Sequence, residues 1–137
     1  MSNIAKTSDA LQARIRELCG DVLQEVTSHP GHWDDSAVTR IVSNPPAAYT
    51  AWLGHMPGEN PSIVQARWAV YVVANVLDGE RENEVGIYQL VEQLSAGLHR
   101  YRLPPSGTFE LLSVQNLWSD TQSGMGVAVY GMYFKAP

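Results

Sequence analysis

The sequence predicts an α+β two-layer sandwich, in which two helices pack on one face of a mixed or mainly antiparallel sheet. Two amphipathic helical patterns, with a long strand pattern between them, are the observations that predict this architecture. Only one long helix separates the middle strand from the closing pair of strands, and parallel pairing needs long crossover connections. A chain of 137 residues fits one domain, which we assign to residues 1–137.

The first helical pattern runs through residues 8–29. Its apolar side chains recur at spacings of three or four and share one stripe: Leu11, Ile15, Leu18, Val22 and Val26. Ser8 and Asp9 are candidate N-caps, because their side-chain oxygens can accept hydrogen bonds from the first-turn amides. Gly20 lies inside the pattern and lowers helix propensity by about 1 kcal/mol relative to Ala, which favours a close packing contact there. Residues 29–31 end the helix.

Two short strands are predicted next, over residues 38–42 and 47–53. Both are rich in β-branched and aromatic residues, which favour strands. Pro45 and Pro46 separate them, since proline cannot donate to a strand ladder. Residues 54–62 contain several Gly and Pro and predict a loop.

The long strand covers residues 64–76 and alternates at period two. One face is wholly apolar and consists of Val64, Ala66, Trp68, Val70, Val72, Ala74 and Val76. The other face is mixed and includes Gln65, Arg67, Tyr71, Val73 and Asn75. We expect the apolar face to pack under the helices and the mixed face to be only partly covered.

The second helical pattern covers residues 84–102, and a strand hairpin follows it. Ile87, Val91, Leu94 and Leu98 form the apolar stripe of this helix, which Pro104 and Pro105 are expected to stop. Two strand-like runs, residues 109–118 and 126–135, are joined by a loop longer than a tight two-residue turn.

The charge balance excludes some classes of partner. Nine Lys and Arg against fourteen Asp and Glu give a net charge of −5, the wrong sign for neutralising nucleic-acid phosphates. Charged residues make up only 17% of the chain, against about 25% in typical domains, which leaves surface for partners to bury. The start of the chain has no apolar signal segment, and the longest apolar run, residues 68–74, is too short to span a bilayer. We expect a soluble protein made in the cytoplasm, with Cys19 as a small core residue.

The residues that most resemble a metal site lie in one loop. His29, His32, Asp34 and Asp35 cluster there, and His55 follows further on. Imidazole and carboxylate groups bind divalent metals that can activate water, so a small metal-dependent hydrolase is the alternative hypothesis. The two loop histidines are not spaced i, i+4 and enclose no glutamate, and we favour a solvated loop.

Other catalytic patterns are missing from the sequence. There is no Gly-x-Ser-x-Gly elbow, and Ser106 sits in what is more simply a turn. The loop before the second helix contains Glu80, Glu82 and Glu84, which would repel a phosphate and favour the helix N-terminus on dipole grounds. We expect no enzyme activity and no cofactor.

The aromatic residues point to protein contacts. Tyr and Trp are enriched at protein interfaces, although core packing is expected for Trp68 and Tyr130. On the mixed strand faces, the candidate interface residues are Arg67, Tyr71, Asn75 and Tyr133.

The order of these segments resembles a known family. The helix at the start, "PPAAYTAWL", "RWAVYVVANV", "GIYQLVEQLSAGL" and the hairpin "GMGVAVYGMYF" together resemble the tail-terminator, or tail-completion, proteins of Mu-like contractile-tailed phages and prophages. This family was formerly catalogued only as a domain of unknown function. The resemblance covers nearly the whole chain, although none of the segments is a catalytic signature.

The resemblance implies a structural protein of the virion. It would form a homohexameric ring at the neck end of the tail, bind the tail tube protein, stop tube polymerisation and offer a surface to the head-tail completion proteins. Assembly would take place in the cytoplasm of the host bacterium, with no active site, no sequence-specific nucleic-acid binding and no membrane. Another minor neck or baseplate component, or a generic interaction domain, is an alternative with the same sequence features.

Overall fold

The computed structural model describes residues 2–28, 45–58, 64–75, 86–119 and 127–137. Two helices lie in this part of the chain, α1 (Asn3–Cys19) and α2 (Ile87–Leu98). The strands are β1 (Glu25–Ser28), β2 (Ala47–Pro57), β3 (Val64–Asn75), β4 (Arg102–Leu103), β5 (Gly107–Thr108), β6 (Glu110–Ser119) and β7 (Val127–Ala136). The predicted strand over residues 38–42 lies outside the described residues.

Five strands form one mixed sheet in the order β1-β2-β3-β7-β6. β1 runs parallel to β2, and every other neighbouring pair is antiparallel. Both helices pack on one face, where their apolar stripes meet the even-numbered side chains of β3. The predicted α+β sandwich and the predicted facing of β3 are therefore confirmed. Neither described helix is long and apolar enough to cross a bilayer.

The first helix begins and ends earlier than the sequence predicted. Ser2, rather than Ser8 or Asp9, is the N-cap, and its Oγ accepts a hydrogen bond from Ala5 N at 3.1 Å. The helix ends at Cys19, and residues 25–28 form a strand that pairs with β2. The spacing of Val22 and Val26 fitted a helical stripe, but tertiary pairing with β2 decides their conformation.

The close approach between the helices occurs at Gly97 and not at Gly20. A Cβ on Gly97 would lie 2.4 Å from Leu18 Cδ1, whereas a Cβ on Gly20 would meet the carbonyl oxygen of Arg16 in its own helix. Arg14 strengthens the crossing, because its Nη2 donates to Gly97 O at 3.2 Å. The same guanidinium lies 3.9 Å from the centroid of the Tyr101 ring, a cation–π distance.

The second strand is longer than predicted, and the second helix is shorter. β2 continues through a bulge at Leu53, where Gly54 has a φ of +109°, and reaches Pro57. α2 ends at Leu98, ahead of the prolines that were expected to stop it. Arg100 takes a φ of 61°, which turns the chain into the short β4–β5 ribbon.

The sheet is buried on both faces at its centre. The helix-facing core is built from the stripes of α1 and α2 together with Trp68, Val70, Val72, Met132 and Phe134. The opposite face carries a second buried cluster of Ala47, Tyr49, Ala51, Ala69, Tyr71, Val73 and Val129. The expectation that this face is only partly covered is wrong at the centre of the sheet, and it holds at Leu53 on β2 and along β6.

Candidate functional site

Exposed apolar side chains extend from β2 to β6 across the sheet face that lies opposite the helices. We call this the far-face patch and define it as Leu53, Arg67, Leu112, Leu117 and Tyr133. Leu53 and Leu112 are each 41% exposed, and Leu117 is 36% exposed. All five residues lie on strands, so the patch is held by the sheet.

Bulges place all three leucines of the patch. The β2–β3 register shifts between Trp52 and Gly54, which leaves Leu53 as the extra residue. The β6–β7 register shifts twice, and the extra residues there are Leu112 and Leu117. A bulge leaves its extra residue outside the ladder and changes where its side chain points. Three apolar side chains are therefore directed out of the regular alternation.

Gly131 is the platform for Tyr133 and Leu117. A Cβ on Gly131 would lie 2.7 Å from Tyr133 Oη and 3.0 Å from Leu117 Cδ1. The absence of a side chain lets the Tyr133 ring fold back along β7 and lets Leu117 pack from β6. Burial raises the pKa of the Tyr133 hydroxyl, and the neighbouring Tyr71 raises it further, so this group stays a neutral donor.

A groove of about 280 Å³ lies within the patch. Its walls include Leu53, Leu112 and Tyr133, and Arg67 and Gln115 contribute polar groups. Arg67 Nε donates to Met56 Sδ. Among the described residues Arg67 has no carboxylate partner, so its guanidinium can bind an acceptor on another molecule. An apolar groove with a few hydrogen-bonding groups suits contact with a protein surface.

The structure brings two of the four predicted interface residues together. Arg67 and Tyr133 share the groove. Tyr71 lies beneath them and is 2% exposed, with its ring centroid 6.5 Å from that of Tyr133 in an edge-on contact. Asn75 is exposed at the opposite end of β3, where it pairs with Val127. The interface role of these residues stays a prediction, and Tyr71 would act in it through Tyr133.

The residues of the hydrolase hypothesis mostly fall outside the described part of the chain. The residues outside the described part are His29, His32, Asp34 and Asp35, together with Glu80, Glu82 and Glu84. His55 is described, and its ring centroid lies 5.2 Å from that of Trp52. Across the ranges that the structure describes, no three His, Cys, Asp or Glu side chains come together to hold a metal ion.

Trp52, His55 and Trp68 line a second cavity, of about 400 Å³, on the helix side of the sheet. The start of α1 closes this cavity, through Ser2 and Thr7. Trp68 is buried as predicted, and its Nε1 has no hydrogen-bond partner among the residues that the structure describes.

Cys19 is a core residue, as the sequence predicted. Its side chain is buried at the end of α1, and its Sγ donates to Gln93 Oε1 at 3.5 Å. Burial raises the pKa of the Cys19 thiol, and the nearby Asp21 adds to the effect. A raised pKa disfavours the thiolate and so disfavours a nucleophilic role.

The sequence pattern did not predict the leucines of the patch as exposed residues, because the alternation along each strand was assumed to be uninterrupted. In "FELLSVQNLW" the alternation fails at Leu112 and again at Leu117. A break of this kind inside a strand indicates a bulge. The signal was therefore present, although it carries no information about which side chains remain exposed.

Comparison with known proteins gives the chain its family. The family model described as Bacteriophage Mu, Gp37 matches residues 3–137. The chain belongs to this family. Among its relatives is the Mu-like prophage FluMu protein gp37 of Haemophilus influenzae, which is 68% identical over 136 residues, covering 99% of this chain and 70% of the relative.

Another Gp37 relative has a functional name. The probable tail terminator protein of Escherichia phage Mu is 40% identical over 131 residues, covering 96% of this chain and 72% of the relative. The resemblance to the tail terminators of Mu-like phages and prophages is therefore confirmed. Membership of this family supports a structural role in a phage tail.

Proposed function

We propose that this protein caps the tail tube of a Mu-like phage or prophage, ends tube polymerisation and forms the surface to which the head joins. The observation that carries the proposal is the 40% identity, over nearly the whole chain, to the phage Mu protein named as a probable tail terminator. The far-face patch supports it, because a capping protein needs surfaces that other proteins bury.

The proposal includes a homohexameric ring, that is, a ring of six identical subunits. Its partners are other copies of the chain, the tail tube protein and the head-tail completion proteins. A ring requires a heterologous contact between unlike surfaces that closes on itself. The protein acts in the neck of the virion tail after assembly in the host cytoplasm, and it carries out no catalytic step and needs no cofactor.

Loss of the protein in a phage or prophage that encodes it tests the capping role. Without a terminator, tail tubes should grow to irregular lengths and remain without heads, as seen by electron microscopy of induced lysates. Restoring the wild-type protein should restore uniform tails with heads. Uniform, head-bearing tails in its absence would contradict the proposal.

Labelling distinguishes a terminator from another minor tail component. Gold-conjugated antibody against the protein should bind at the head-proximal end of isolated tails. Binding at the distal end would indicate a baseplate component instead. Light scattering of the purified chain at micromolar concentration should give six times the chain mass of 15.1 kDa, or a monomer that forms rings on contact with tube protein.

A further inference from the structure

We infer that the ring is closed by strand pairing, in which β6 of one copy binds β1 of the next copy, these being the two outer strands of the sheet that the described residues form. Leu112 and Leu117, the exposed leucines of β6, would lie beside that neighbouring copy. This inference rests on the proposed function and deepens it, because it names the two surfaces that meet.

The β6 edge lacks the charged residues and proline that commonly keep an edge strand from pairing. Exposed sheet edges in monomeric proteins usually carry charged residues or proline, which oppose the addition of another strand. Residues 111–119 of β6 contain no charged residue and no proline. Two bulges do interrupt this edge, and their extra residues are exposed leucines rather than charged residues. The edge is therefore suited to being covered.

Backbone groups along β6 are available for a partner strand. Leu111 N donates to His99 Nδ1 at 3.0 Å, so the amide of Leu111 faces away from β7. Backbone amides point alternately to the two sides of a strand, and the bulge at Leu112 shifts this alternation by one residue. The amides of Val114 and Asn116 therefore also face away from β7. Of these three amides, only that of Leu111 donates a hydrogen bond to an acceptor among the described residues.

The other edge of the same sheet supplies a matching strand. β1 is the opposite outer strand, and Gln24 N donates to Pro46 O at 2.8 Å on the side towards β2. By the same alternation, Glu25 and Thr27 direct their backbone groups to the outside. The sheet thus has two unlike edges, which is what a heterologous contact needs.

Strand directions make this pairing antiparallel. β1 and β2 run one way, β3 runs the other way, β7 returns to the first direction, and β6 opposes it. When the sheet of one copy continues into a copy of the same orientation, β6 lies beside a strand that runs against it. Antiparallel pairing is the more stable arrangement per residue. A second copy therefore fits the β6 edge without reversing its orientation.

Matched substitutions at Asn116 test the β6 edge. Asn116→Pro removes an outward amide and leaves the pairing with β7, whereas Asn116→Ala removes the same side-chain contacts and keeps the amide. We expect the proline variant to associate at least about tenfold more weakly, in line with the loss of a hydrogen bond and local register. The alanine variant should form rings like the wild type. Sedimentation measures association, and circular dichroism checks folding.

Thr27→Pro and Thr27→Ala apply the same comparison to β1, with the same expected difference. A third pair tests the exposed leucines in case a proline variant fails to fold. Leu112→Asp should prevent ring formation in a folded chain, and Tyr88→Asp, at a comparably exposed large side chain on α2 that is 50% exposed, should not.

The results separate this inference from the capping role. Rings that survive both Asn116→Pro and Leu112→Asp would overturn the pairing, as would two-copy assemblies in place of rings, which indicate β6–β6 contact. Loss of rings with Asn116→Pro but not with Thr27→Pro would overturn the assignment of β1. A variant that has a broken β6 edge, keeps its rings and caps tails normally would leave the proposed function intact. Uncapped tails alongside intact rings would reject the function alone.

Discussion

Individual side chains of β3 differ sharply in what a substitution would cost. Val72 is fully buried in the helix-facing core, and Val64, on the same strand and face, is 56% exposed. Val72→Asp should lower the free energy of unfolding by more than about 4 kcal/mol, because it buries a charge without a partner. Val64→Asp should change it by less than about 0.5 kcal/mol. Urea denaturation followed by circular dichroism measures both, and equal losses would contradict the assigned burial.

Tyr71 and Arg67 separate folding from association. Truncating the buried Tyr71 to Ala should cost about 3–5 kcal/mol of stability, as for other large aromatic residues in cores. The sequence alone placed Tyr71 among the candidate interface residues, whose truncation is expected mainly to weaken assembly. Arg67→Ala now fits that expectation better, since Arg67 lines the groove and lacks a carboxylate partner among the described residues. A folded Arg67→Ala variant that assembles as strongly as the wild type would contradict it.

The raised pKa of the buried Cys19 thiol predicts that the folded protein loses stability in alkaline solution. Burial, with the added effect of Asp21, raises its pKa in the folded state, so the unfolded chain loses the thiol proton first as the pH rises. Its stabilising effect is complete below the ordinary thiol pKa and is lost as the pH rises above that value. The Cys19→Ala variant lacks this effect. Its stability should therefore fall less than that of the wild type between about pH 8 and pH 10.

At the level of elements, the contact of α1 with α2 depends on Gly97. In the wild-type background Gly97→Ala should destabilise the protein by about 1–3 kcal/mol, because the new methyl group overlaps the whole isobutyl group of Leu18. In a Leu18→Ala background the same change should be stabilising by up to about 1 kcal/mol, through helix propensity. Thermal unfolding of the four proteins in this cycle measures the coupling, and additive effects would refute the contact.

Elements with a long, regular pattern were predictable from the sequence. β3 alternates without interruption over twelve residues, and α2 presents a clear stripe, so local pattern and final structure agree. β1 was missed because Val22 and Val26 fit a helical spacing as well as a strand. Only the partner strand β2, which lies about twenty residues later, decides between them.

The candidate site was predictable only in part, for a related reason. Arg67 and Tyr133 were found because alternation assigns them to the mixed faces of their strands. Leu53, Leu112 and Leu117 were not found, because the direction of a bulged side chain depends on the register of two strands and not on one. Their exposure follows from the three-dimensional pairing of β2, β3, β6 and β7.

At the level of the whole molecule, the scarcity of charged residues at the proposed contact predicts how the assemblies respond to salt. On β6 the proposed contact between copies consists of backbone groups and leucines, with no charged side chain in residues 111–119, and on β1 Glu25 is the only charged residue. Screening by added salt weakens ion pairs but has little effect on such contacts. Rings should therefore persist when ionic strength is raised from about 0.1 M to about 1 M. Sedimentation at both concentrations tests this, and dissociation at high salt would indicate that ion pairs hold the copies together.

The strand order of the sheet also has a consequence for synthesis on the ribosome. The inner strand β3 pairs with β7 along ten residue positions, yet residues 76–126 must be translated between the two. At about 5–20 residues per second, the apolar β3 waits for several seconds without one of its two neighbours. During that interval the nascent polypeptide exposes surface that the finished protein buries. In the proposed assembly the same delay would keep rings from forming during synthesis, because β6 pairs with β7 only once the last strand has been made.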